Sequence, residues 1–296
     1  MTDIVDCHHH IWRLQDLPWL NGPILPRIFG PYESIQRDYL ISEYRAEAEA
    51  VGVTKSVYTQ VNWPLDKSVD EVRWVQQVAM DTGWPHAMVG SGDMFDPACE
   101  ETFAEQAEIS PLLRGVRLQL HWHEVELYRF ASGPNRMDDP VFRSNLALLP
   151  KYDWLFELQV FGPQMGDAER LVAEFPQIRF VLVHAGMLES EDPETIAIWE
   201  TGMRRLAGHG NVVVKLTGLG TFVRRLDRGL VAAIVRRCLD WFGPDRCMWG
   251  SNFPVEKLWT DYESLFSAYH DALSNVDAAT RAAVFGGTAT RVYRLG

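Results

Sequence analysis

Within its first ten residues the chain reads Ile4-Val5-Asp6-Cys7-His8-His9-His10. Ile4 and Val5 open a strand, and strand alternation puts Asp6, His8 and His10 on one face and Cys7 on the other. Two neutral imidazoles pointing the same way form a chelating pair for a divalent ion, and either ring can also carry a proton in catalysis. Other apolar runs also end in polar side chains. His184 follows Phe180-Val181-Leu182-Val183, and Lys215 follows Val212-Val213-Val214. Arg117, Gln119 and His121 alternate along one stretch, Glu157 and Gln159 along another, while Gln60 with Asn62, Asp93, and Ser251 with Asn252 close three more. Each type also has a purely structural use. A buried lysine can pair with a carboxylate or snorkel to water, and Arg117 can pair with Glu157 or Asp93.

The elements that carry these residues alternate regularly. Strand-like runs at 55–63, 86–92, 115–121, 154–160, 179–183, 212–216 and 247–250 follow the opening strand, and each precedes a helical segment. Ser68-Val69-Asp70-Glu71 reads as a capping box at the start of a helix to about Asp81. A last helix is expected over 277–293. Eight strand and helix pairs, with polar residues at the strand ends and no GxGxxG after the first strand, predict one domain over 1–296, a closed (β/α)8 TIM barrel. Between strand one and the first helix lies an extended stretch rich in Trp, Pro and Gly, 11–38, expected to be an ordered flap.

Composition narrows the function classes. Lys+Arg 28 against Asp+Glu 40 gives a net charge of -12, which argues against a nucleic acid or an anionic membrane as partner. Four cysteines without a CxxC pair suggest neither a zinc cluster nor a disulfide framework. No leader-like or membrane-length apolar run is apparent, so a cytoplasmic location is the default expectation.

Asp6-x-His8-x-His10, Arg114-Gly115-Val116-Arg117, His184-Ala185-Gly186, Val214-Lys215-Leu216-Thr217-Gly218-Leu219 and Gly250-Ser251-Asn252-Phe253-Pro254 fall in order at the strand ends. Together they resemble the amidohydrolase superfamily, and within it the amidohydrolase 2 branch of sugar lactonases, sulfomuconolactone hydrolase and 2-pyrone-4,6-dicarboxylate lactonase. The resemblance runs the full length. It implies a barrel that opens a lactone or similar cyclic ester with an activated water. It also implies that His8, His10 and His184 either hold one divalent metal, zinc or manganese, or act without metal as in pyrone-type members. The strand-eight position is normally aspartate in GSDWP. Here it is Asn252, whose amide cannot take a proton from water but can orient one or offer an oxygen to a metal.

The expected catalytic set is therefore His8, His10, Arg117, His184, Lys215 and Asn252. Gln60, Gln119, Gln159, Trp12 and Tyr32 are expected against a small-molecule substrate, an anionic lactone gripped by Arg117 and Lys215. Without a metal, a histidine or Glu157 is the base. Two rival readings stand beside this one: a metal-dependent nonoxidative decarboxylase of a small aromatic acid, against which Asn252 counts, and a barrel reduced to binding. A homo-oligomer is compatible with all three.

Overall fold

The strand-and-helix rhythm folds as expected. The computed structural model describes residues 3–296. Eight parallel strands follow one another in chain order: β1 (Ile4–His9), β2 (Val53–Thr59), β3 (Ala87–Gly90), β4 (Leu113–Gln119), β5 (Leu155–Gln159), β6 (Phe180–Leu182), β7 (Val212–Leu216) and β8 (Cys247–Trp249). The barrel closes just beyond the last strand, where His10 N donates to Phe253 O and Asn252 N to His8 O, each at 2.7 Å. The resulting architecture is a TIM barrel, with the predicted polar residues at its C-terminal rim.

Two apolar layers result from strand alternation. Val57, Val89, Val181, Val213 and Met248 fill the interior with Val5 and Cys7, while residues such as Phe156, Val116 and Val214 face the surrounding helices. Position 115 has no room for a side chain, since a Cβ there would lie 2.4 Å from Leu155 O.

The outer helices are α1 (Pro18–Asn21), α2 (Ile41–Ala50), α3 (Ser68–Thr82), α4 (Cys99–Ile109), α5 (Pro140–Leu146), α6 (Met165–Glu174), α7 (Pro193–Ala207), α8 (Arg228–Phe242) and α9 (Tyr262–Ala272). The expected last helix is broken instead into α10 (Ala278–Ala282), a π-helical turn at Ala283–Gly287 and α11 (Thr288–Tyr293). Gly286 sits at that break, where a Cβ would meet Asp3 O at 1.9 Å, and the broken helix brings Ala289, Val292 and Tyr293 into the barrel's inner core.

Two local expectations are corrected. The capping box does not form, because Glu71 turns inward to accept from Tyr58 OH and Val61 N, at 2.7 and 2.9 Å. Strand one is also bulged. Asp6 pairs with Ser56 but His9 with Tyr58, so one extra residue sits between them and simple alternation fails. Cys7 joins the interior, and His8 follows it inward. Asp6, expected beside the histidines, bonds instead to Tyr44 OH on α2, Tyr262 OH on α9 and Ser251 Oγ, at 2.9, 2.8 and 2.6 Å. It fastens β1 to two helices and to the loop after β8.

The stretch after β1 is an ordered flap. Trp12 and Tyr39 form an antiparallel bridge at its base, and Trp19, Phe29 and Tyr32 pack on one another within it.

Candidate active site

His8, His10 and His184 meet at the top of the barrel, with both neighbouring rings centred 5.0 Å from that of His8. His10 Nδ1 lies 2.7 Å from Thr59 O. A carbonyl only accepts, so Nδ1 carries the proton and Nε2, on the side of Asn252, holds the lone pair. His184 Nδ1 lies 2.8 Å from Thr217 Oγ1. The backbone around His184 is left-handed over four residues, with φ of 54, 47, 73 and 52° from His184 to Met187. Gly218 leaves the space that His184 occupies: a Cβ there would stand 2.5 Å from its Nδ1.

Beneath these rings Lys215 and Glu157 form an ion pair at 2.6 Å, both fully buried, with Tyr293 OH donating to the same carboxylate oxygen at 2.7 Å. Lys215 Nζ is also 3.2 Å from His8 Nδ1. An ammonium only donates, so His8 accepts at Nδ1 and its proton resides on Nε2. Burial, reinforced by the charges of Lys215 and Arg117, holds His8 and His184 well below the usual imidazole value; burial and Arg117 bring His10 to about 3. All three rings are neutral at pH 7.

Arg117 does not form either expected ion pair. Its Nη2 donates to Gln60 O at 2.6 Å, while Asp93 is spent capping the turn at Phe95 N. Buried polar atoms without a partner in this region include His8 Nε2, Arg117 Nε, Gln119 Oε1 and Gln159 Oε1, with Glu157 Oε2 below and His121 Nδ1 beside them. Gln119 and Gln159 are register partners on β4 and β5, which brings two acceptors side by side. Asn252, at φ 58°, lies against His10, and its Nδ2 points to Glu256 Oε1 at 3.5 Å.

An inner cavity of about 100 Å³ is lined by His10, Trp12, Arg117, Gln119, Gln159 and His184. It adjoins an outer cavity of about 780 Å³, with Trp19, Asn62, Arg117 and Gln119 among the walls they share. Gln60 and His121 line the outer one. Two expected substrate contacts are not brought to either cavity. Lys215 is fully buried below His8, so it cannot grip a substrate. Tyr32 is fully buried within the flap, its hydroxyl accepting from Leu25 N at 3.1 Å. The sequence assigns no role to Thr217, two residues beyond Lys215 in the same motif, or to Glu256, which lies in a 3-10 turn, Val255–Leu258, too short to show periodicity.

The fold and the rim residues agree with what the chain resembles. An amidohydrolase family model matches residues 5–295. The chain belongs to the amidohydrolase family. This amidohydrolase is 32% identical to an L-fucono-1,5-lactonase of Burkholderia multivorans, over 98% of its own length and 96% of the relative's. It is 28% identical to an L-fucono-1,5-lactonase of Burkholderia ambifaria, over 100% and 97%. A Burkholderia multivorans amidohydrolase crystallised with bound zinc superposes with a TM-score of 0.84 at 30% identity, covering 99% of this chain and 100% of that one.

Zinc in that relative makes the donor set here worth testing. Among the described residues no group of three or more His, Cys, Asp or Glu side chains is arranged to hold a metal. Independently of that arrangement, while Lys215 donates to His8 Nδ1, His8 Nε2 bears hydrogen and has no lone pair for a metal. Position 252 supplies an amide rather than a carboxylate. As they stand, the three histidines do not fit a metal site.

Proposed function

We propose that this amidohydrolase opens a lactone, using its own side chains to activate water and stabilise charge. The observation that carries this reading is the cluster of unpartnered buried polar atoms beside neutral His10. Arg117 Nε–H, on a residue that lines the inner cavity, and His8 Nε2–H, buried between the rings of His10 and His184, are donors without acceptors where an ester carbonyl would develop negative charge. His10 Nε2 is the opposite, a lone pair without a proton.

In the proposed reaction a water held between His10 Nε2 and Asn252 attacks the lactone carbonyl carbon. The water's proton passes to His10 Nε2, and the tetrahedral oxyanion is received by Arg117 and His8. The ring C–O bond then breaks, and the leaving alkoxide takes the proton back from His10 with His184 positioning the leaving oxygen. Product is a hydroxy acid. A pKa near 3 makes His10 a weak base at rest, but Arg117 contributes to that depression. As the oxyanion forms beside Arg117 its charge is offset, so His10's proton affinity rises during attack.

Gln119 Oε1 and Gln159 Oε1 are acceptors suited to hydroxyl groups on the ring. Lys215 acts one step removed, fixing the tautomer of His8. The test is a pH-stat assay of a lactone panel, including L-fucono-1,5-lactone, before and after chelation. Base uptake proportional to enzyme is expected. No uptake, with carbon dioxide released from aromatic acids instead, would transfer the site to the decarboxylase reading.

A further inference from the structure

The inner cavity is too small to be the whole binding site. At about 100 Å³ it falls well below the roughly 300–1,000 Å³ of ordinary ligand pockets, whereas the outer cavity, at about 780 Å³, lies within that range. The reacting ester therefore fills the inner space and the rest of the molecule lies outside it. What it meets there is mostly apolar. Trp19, Phe29, Trp63 and Phe130 stand around the outer cavity with Leu65 and Leu127. Phe130, Leu65 and Leu127 are large apolar side chains 46, 43 and 37% exposed, a concentration on one rim that marks a binding surface.

The charged residues of this cavity invert the balance of the chain. Arg27, Arg117 and Arg129 line it, against one carboxylate, Glu126. Among the described residues none of the three arginines has a carboxylate partner. Arg27 Nε is buried without an acceptor, and Arg129 donates from Nε and Nη2 to the backbone oxygens of His123 and Glu124. Arg27 and Arg129 belong to the outer cavity alone, while Arg117 stands where the two join. Glu157 and Glu71 act on Arg117 from a distance, but in a protein of net charge -12 Arg27 and Arg129, without an ion-pair partner on the outer cavity, favour an anion there.

We infer that the substrate is a lactone carrying an extended apolar arm, aromatic in character, that ends in a carboxylate. The ring enters the inner cavity at His10 and His184, the arm lies among the outer aromatics, and its carboxylate meets Arg27 and Arg129. This rests on the lactonase reading and narrows it, because a bare sugar ring has no apolar arm to bury against Trp63 or Phe130.

The test separates the two. A δ-lactone bearing a 4-carboxyphenyl arm, its methyl ester and unsubstituted δ-valerolactone are compared by kcat/KM, and the matching lactams, which resist opening, by calorimetric Kd. The armed acid is expected to exceed both other lactones at least tenfold in kcat/KM, and its lactam to bind at least tenfold tighter than the bare one. Arg27→Met should reduce the preference for acid over ester about tenfold, and Trp63→Ala the preference for armed over bare ring. Equal use and equal binding of armed and bare rings would overturn the inference while leaving lactone hydrolysis intact. If no lactone is opened but the armed lactam binds with dependence on Arg27, the occupant stands and the hydrolytic reading falls.

Discussion

Lys215 Nζ lies 3.2 Å from His8 Nδ1, so a buried cation determines which nitrogen of the first active-site histidine bears its proton. The lysine is held by Glu157, with neither side chain exposed. Removing one partner of such a pair leaves a buried charge, at a typical cost of about 3–5 kcal/mol. Lys215→Met is expected to lose stability on that scale in urea denaturation, whereas Lys215→Met with Glu157→Gln should recover much of it. A double variant no more stable than the single would show that the stranded carboxylate is not the cause.

The same contact bears on metal. If His8 Nε2 keeps its hydrogen, chelation should leave lactone hydrolysis undiminished, and added zinc should bind weakly. Asn252→Asp, which places a carboxylate against His10, is expected to tighten zinc binding measured by calorimetry. Chelator-sensitive hydrolysis restored by stoichiometric zinc would show that His8 gives up its contact with Lys215 to become a ligand.

Catalytic roles separate by pH. His10→Gln and His184→Asn are each expected to lower kcat by at least about 100-fold, the usual scale for positioned acid-base groups. In the unmodified enzyme, kcat/KM should hold as pH falls and fail only as His10 protonates near 3, because a cationic His10 has no lone pair for the water's proton. An acid limb near the ordinary imidazole range, with His10→Gln near normal, would remove it as the base.

The barrel was legible because its signal is repeated: each apolar run followed by a helical stripe is one more instance of the same unit, and the rim histidines fall where those runs end. The bulge in β1 was not legible, since nothing in Ile4-Val5-Asp6-Cys7-His8 says that one residue is left over when the strand pairs with β2. Asp6 was therefore misplaced while His8 and His10 were not. Lys215 shows a different limit. Three valines before it indicated a buried cation, but whether that cation faces a substrate or a neighbouring strand depends on Glu157, 58 residues away in sequence. Tyr32 failed for a related reason, since an aromatic flap must fold over part of itself and the sequence does not say which rings lie underneath.

Glu256 tests whether charge is tolerated beneath Asn252. It is almost completely buried, accepts from Trp259 Nε1 at 2.7 Å, and faces Asn252 Nδ2 at 3.5 Å. Burial raises its pKa from 4.5 to about 7 despite both contacts. The folded protein therefore holds a proton there that the unfolded chain releases, and the associated stability is present below about 4.5 and lost as pH rises to about 7. Above that range Glu256 is a buried carboxylate with a cost on the order of 3 kcal/mol from the shift. Glu256→Gln keeps the shape of the protonated form without that cost. It should melt close to the parent near pH 4.5 and several degrees higher at pH 8, with turnover retained if the amide still holds Asn252 in place. Equal melting temperatures at both pH values would show that water reaches Glu256 and that its carboxylate is not desolvated.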